Sequence, residues 1–188
     1  MTPLVYRSKW SKRREPGGYF YNLNTVDFSS TGKYIAFAGA DRVLIASTEQ
    51  GEILAILRRP GTTVAALQWF MCESLTCAFE DGAICDISLH EIGSLHEPEI
   101  AVDVVFAKQH CIGKLAVDSK GLHLATGAGA GIRVWRRSDI GRWAMLRRLG
   151  NPPKVQDNAN KEIVITGLHW KDAGRGVLIA SYQYHGIQ

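Results

Sequence analysis

Apolar and polar positions almost never follow the three-to-four-residue period of an amphipathic helix in this chain. Short runs alternate instead, as in Tyr34-Ile35-Ala36-Phe37-Ala38, Leu75-Thr76-Cys77-Ala78-Phe79 and Ile132-Arg133-Val134-Trp135, with Gly, Asp, Ser or Asn breaking them every 6–10 residues. A two-residue period places alternate side chains on opposite faces of an extended strand, and the breakers are turn formers, so the pattern predicts an all-β protein of short strands.

The pattern also repeats. Residues 26–61 align without a gap on residues 115–150, at an offset of 89, with eight of the 36 positions identical. Val26-Asp27-Phe28-Ser29-Ser30-Thr31-Gly32 answers Leu115-Ala116-Val117-Asp118-Ser119-Lys120-Gly121, Val43 and Ile45 answer Ile132 and Val134, and Ile56-Leu57-Arg58-Arg59 answers Met145-Leu146-Arg147-Arg148. The offset is two units of about 44–45 residues, so another copy is expected between them. Ala66-Leu67-Gln68-Trp69, Leu75 to Phe79 and Asp81-Gly82-Ala83-Ile84-Cys85-Asp86-Ile87 supply it. A fourth begins at Gly167-Leu168-His169-Trp170 and runs through Val177-Leu178-Ile179-Ala180 to Ile187-Gln188, which match Ile132-Arg133. Phe28, Trp69, Val117 and Trp170 are equivalent positions, 41, 48 and 53 residues apart, and are the expected core between sheets.

These units resemble the WD40-repeat β-propellers. Phe28-Ser29-Ser30-Thr31-Gly32-Lys33-Tyr34-Ile35-Ala36 is similar to that family's turn between the first two strands of a blade, and Trp135 stands at its signature tryptophan. The resemblance implies four-stranded antiparallel blades over residues 23–61, 62–108 and 112–150, with a partial fourth over 162–188, preceded by a basic segment over 1–22. Leu4-Val5-Tyr6 or Tyr19-Phe20-Tyr21 in that segment is a candidate outer strand. The Gly-His dipeptide is missing from every copy, Trp135 is followed by Arg136, and Ala46 and Ile87 replace the tryptophan elsewhere. With the family's polar network incomplete, apolar packing is expected to hold the blades together. Three blades and part of a fourth do not close a ring, so a fragment of a longer propeller is expected, with a homodimer of half-rings as the rival.

Composition adds limits. The chain has 188 residues, 46% hydrophobic and 21% charged, with a net charge of +4, values of a globular protein rather than a disordered or collagen-like one. No apolar run approaches the ~18–20 residues of a membrane-spanning helix, and Met1 to Tyr6 lacks the apolar core of a signal peptide. An intracellular protein, cytoplasmic or nuclear, is the expectation. Cys72, Cys77, Cys85 and Cys111 form no CxxC pair, and Cys77 and Cys85 read as small buried hydrophobes in a reducing compartment.

Candidate chemistry is sparse. The six histidines are scattered, and neither a nucleophile elbow nor a phosphate loop occurs. Asp81-Gly82 reads as a tight turn rather than half of a carboxylate pair. Gly127-Ala128-Gly129-Ala130-Gly131 lacks the third glycine of a dinucleotide fingerprint, with Ile132 in its place and a strand following, so it reads as a turn or a point of close sheet packing. The expectation is no enzyme, no cofactor and no metal.

Charge points elsewhere. Residues 133–148 hold six Arg and one acid, Asp139, with Trp135 and Trp143 interleaved. On the ungapped alignment, Arg58-Arg59 and Arg147-Arg148 share one place in two units and should emerge on the same face. The resemblance implies a scaffold for another protein, with Arg58, Arg59, Arg136, Arg137, Trp143, Arg147 and Arg148 as candidate contacts on blade-connecting loops. The alternative is a nucleic acid or anionic lipid such as a phosphoinositide bound by the same arginines, since guanidinium forks match phosphate and carboxylate alike.

Overall fold

The computed structural model describes residues 26–39, 41–71, 73–89, 104–106, 112–153, 160–171 and 176–188. The basic segment 1–22 with its candidate outer strand, Cys72, Cys111, and most of the connection between Asn151 and Asn160 lie outside these residues. The described chain is β structure throughout, folded into four antiparallel sheets.

Each sheet is a meander of consecutive strands. The first comprises β1 (Val26–Phe28), β2 (Tyr34–Gly39), β3 (Arg42–Ser47) and β4 (Ile53–Arg58). The second comprises β5 (Val64–Phe70), β6 (Ser74–Phe79), β7 (Ala83–Ser88) and β8 (Val104–Phe106). The third holds β9 (Lys114–Val117), β10 (His123–Ala128), β11 (Gly131–Arg137) and β12 (Trp143–Leu149). The fourth has three strands, β13 (Val164–Lys171), β14 (Val177–Gln183) and β15 (Gly186–Ile187).

The turns follow from their residues. Gly82 takes φ +87° while the Ala83 amide donates to Asp81 Oδ1 at 3.0 Å, so Asp81-Gly82 is the turn between β6 and β7. Asp118 Oδ1 accepts the Leu122 amide at 2.7 Å and the His123 amide at 3.1 Å, closing the turn before β10. The glycine run does both things its sequence suggests. Gly129 turns the chain at φ +54°, while a Cβ on Gly127 would stand 3.2 Å from Ile165 and Leu168 of the next sheet.

Three apolar cores lie between the four sheets. Trp69, Leu75, Cys77 and Phe79 pack with Ala36, Val43, Ile45 and Leu57 between the first and second. Phe70, Ala78 and Ile84 meet Val117, Leu124, Trp135 and Trp143 between the second and third. Trp170, Ile165, Ala180 and Tyr182 meet Ala116, Ala125, Val134 and Ile132 between the third and fourth. Cys77 and Cys85 are buried free thiols, opposite each other on β6 and β7. The Cys77 thiol is pushed well above its ordinary pKa, chiefly by its hydrogen bond with Cys85 and by burial, so it stays protonated and unreactive.

The four equivalent positions keep one register: Phe28, Trp69, Val117 and Trp170 stand opposite Ile35, Leu75, Leu124 and Leu178. Trp69, Val117 and Trp170 are buried, but Phe28 is 53% exposed, which corrects its place in the expected core. Each buried member packs back onto the preceding sheet, and no described sheet precedes the first.

Apolar packing is also not the only tie between sheets. The Trp69 amide donates to Asp27 Oδ2 at 2.8 Å, and its indole Nε1 to the Asp27 carbonyl at 3.1 Å. The Val117 amide donates to Gln68 Oε1 at 2.8 Å, and Trp170 Nε1 to the Ala116 carbonyl at 3.0 Å. In every case the acceptor is the residue just before the preceding sheet's anchor. Within the third sheet, Trp135 Nε1 donates to Thr126 Oγ1 at 3.0 Å, both residues being buried. Two members of the family-type network thus pair where the sequence pattern left it incomplete.

Candidate functional site

A four-strand meander has two ends. One carries the first-to-second and third-to-fourth strand connections; the other carries the second-to-third turns and the exits toward the next sheet. This topology divides the seven candidate residues. Arg58 closes β4 and Arg59 follows it, and Arg147 and Arg148 lie just before Leu149, the last residue of β12, so all four belong to the exit rim. Arg136 and Arg137 close β11 and Trp143 opens β12, which places them on the opposite rim.

The two Arg-Arg pairs do not occupy one place, contrary to the ungapped alignment. Val43 and Ile132 are equivalent, and they stand opposite Leu57 and Leu149. Fourteen residues separate the first pair and seventeen the second, so the hairpin before β12 is longer by three. The register break lies at the same point in both sheets, between Ile45 and Ala46 and between Val134 and Trp135. The extra residues slide β12, so Arg147-Arg148 precede Leu149, the residue opposite Ile132, whereas Arg58-Arg59 follow Leu57, the residue opposite Val43.

Three of the candidates join sheets. The Arg59 guanidinium pairs with Asp81 of the next sheet, Nε to Oδ2 at 3.2 Å, and lies 5.5 Å above the Phe79 ring. Its bonds and the Ala83 amide hold the Asp81 carboxyl below its ordinary value against an opposing burial effect that is individually the largest. Arg137 Nη2 lies 3.1 Å from Asp86 Oδ2, and the same guanidinium sits 5.3 Å from the Phe70 ring and 5.7 Å from the Trp143 ring. Burial raises the Asp86 carboxyl's pKa, with the Thr76 hydroxyl (2.6 Å) and Arg137 pulling the other way. Trp143 is 5% exposed and belongs to the core between the second and third sheets. Arg58, Arg136, Arg147 and Arg148 are exposed.

One residue that the sequence pattern did not single out completes the picture. Arg133 on β11 stands directly opposite Arg148 on β12, and both line a concavity of about 390 Å³ with Gly129, Gly131, Ile132 and Leu149. Burial and then the Arg148 charge lower the Arg133 pKa. The clue was available: a charge at the polar phase of Ile132-Arg133-Val134-Trp135, where the same phase of the first unit carries Leu44. Among the described residues no group of three His, Cys, Asp or Glu side chains is placed to hold a metal ion, and no helix is long and apolar enough to cross a membrane.

No protein-family profile and no curated protein sequence matches the chain. Solved structures do. The β-propeller domain of Cps50 (Swd1) from Myceliophteria thermophila superposes with a TM-score of 0.63 at 14% identity, over 86% of this chain and 50% of that domain. The chain thus spans half the length of the propeller domain it matches. The likeness establishes the fold: the four sheets are blades of a WD40-like β-propeller.

Proposed function

We propose that the chain is a non-catalytic scaffold that recognises another protein through its blade-connecting loops. The observation that carries this reading is the exit rim, where a rigid stack of blades presents exposed Arg58, Arg147 and Arg148. The inter-sheet hydrogen bonds and cores set the spacing of these loops, so recognition residues are held in place before a partner arrives. Propeller folds of this kind generally serve protein interaction, which supports the same reading by analogy of fold. The nucleic-acid alternative on the same arginines loses its stacking platform, because Trp135 and Trp143 are both buried; an anionic lipid on those arginines needs no such platform and remains the second reading.

The test is a pair of charge-reversal variants compared by cross-linking mass spectrometry on the tagged full chain in cells. Arg58→Glu with Arg147→Glu alters the exit rim, and Lys120→Glu with Arg136→Glu alters the other; all four residues are exposed, so folding is preserved. Loss of a defined partner set with the first variant only is expected. Partners that survive both variants, or vanish equally with both, would sink the assignment to this rim.

A further inference from the structure

We propose that the exit end of the third blade is a binding site for an oxyanion, the carboxylate or phosphate of an acidic side chain on a protein partner, gripped between Arg133 and Arg148. The proposal rests on the scaffold reading and names the blade that does the recognising.

Comparison of the blades rung by rung supplies the first argument. At the rung in question the first blade pairs Leu44 with Ile56, the second Cys85 with Val104, and the third Arg133 with Arg148. Two blades fill this rung with uncharged residues, so the packing of a blade does not call for arginine there. Like charges directly opposed across a sheet are unfavourable. The third blade places two arginines at a position where its sister blades place none.

Shape supplies the second. The two side chains line the same concavity of about 390 Å³, within the ~300–1,000 Å³ range of ligand pockets. Gly129, one of the lining residues, sits at an open turn where a Cβ would meet nothing within 4 Å. Two arginines lining one cavity suit a carboxylate or phosphate, which accepts charge-assisted hydrogen bonds from guanidinium forks.

The lining also favours a peptide side chain over a polynucleotide. No aromatic ring lines the cavity to stack a base. This is a pocket for one anionic group, not a track for a row of phosphates.

The experiment follows the Arg133 and Arg148 side-chain Nε–H signals of the parent chain, and the Gly129 and Gly131 backbone amides of parent and control alike, by NMR at low salt, with four separate probes. These are N-acetyl-phosphoserine amide, N-acetyl-aspartate amide, inorganic phosphate and a single-stranded DNA oligonucleotide. The control is Arg133→Leu with Arg148→Ile, which reinstates the first blade's rung and should melt no lower than the parent chain. Saturable shifts of both signals with the phosphoserine or aspartate amide are expected, with affinity about tenfold or more weaker in the control. The tighter of these two amides identifies the source of the oxyanion. Three results would overturn the proposal: unmoved arginine signals with every small anion, equal affinity in parent and control, or DNA binding lost in the control while small anions leave both signals unmoved. No partner enters this experiment, so it can fail while the rim charge reversals still abolish partner binding. In that event the scaffold reading stands and the pocket falls.

Discussion

Gln68 ties the second blade to the third through one side chain, and its replacement by Met tests how the stack is held. The Gln68 Oε1 accepts the amide of Val117 at 2.8 Å, and Val117 is 5% exposed. Methionine keeps the length and the apolar stem but removes the acceptor. The lost bond is worth about 0.5–1.5 kcal/mol net, and an amide left without a partner brings the total to about 1–3 kcal/mol. Gln68 is itself only half-buried, so water reaches part of the site and the lower part of that range, about 1–2 kcal/mol, is expected. For a chain of 188 residues this lowers the melting temperature by about 2–8 °C. Hydrogen exchange gives the sharper readout. The Val117 amide should exchange about 5–30 times faster, in line with that free energy, while the Leu124 amide on the neighbouring strand keeps its rate. Unchanged Val117 protection would refute the tie, and so would uniform acceleration across the third blade.

Two further predictions concern the same stack. Gly32 and Gly121 hold equivalent turns at φ +69° and +65°, but only at Gly121 would a Cβ meet another blade, 2.6 Å from the buried Phe70 ring. Gly32→Ala should therefore cost only the left-handed conformation, about 1–2 kcal/mol, and Gly121→Ala about 2–5 kcal/mol once overpacking is added; equal losses on denaturant titration would contradict the inter-blade contact. Asp86 has a folded-state pKa raised by burial, so the folded chain holds its proton more tightly than the unfolded chain. Its contribution to stability is full below the ordinary carboxyl value of 3.8 and is lost as pH rises through the raised folded value. The stability of the parent chain relative to Asp86→Asn should accordingly fall as pH rises above about 4 and level off once pH exceeds the raised folded value; a difference that is constant or grows with pH would disprove the burial argument.

The strands, their faces and the blade unit were legible in the sequence because they depend on local pattern. A two-residue period and Gly or Asp turns specify β2, β6, β10 and their neighbours residue by residue. The anchors Trp69, Val117 and Trp170 were legible for the same reason, since they sit at one phase of a repeated unit. Phe28 shares that phase and is exposed, because burial of an anchor depends on the sheet before it rather than on the residue itself. The polar ties were not legible, because donor and acceptor lie 42 to 54 residues apart and one acceptor of each tryptophan is a backbone carbonyl that sequence does not mark.

The candidate site divides along the same line. The sequence by itself determined that arginines crowd the end of the third unit, and that no familiar catalytic motif accompanies them. Only the tertiary structure decided which of them face solvent on one rim. Five of the eight identities between the first and third units fall beyond the register break, at Ala55, Leu57, Arg58, Arg59 and Gly61 and their partners by alignment. There a hairpin three residues longer carries Arg147 and Arg148 to rungs that Arg58 and Arg59 do not occupy. Identity of letters could not reveal that slide, because register in a sheet is set by the length of the hairpin and by which side chains the neighbouring blade can bury. The same slide brings Arg148 opposite Arg133, so a pair fifteen positions apart in the chain becomes two charges at the edge of one pocket.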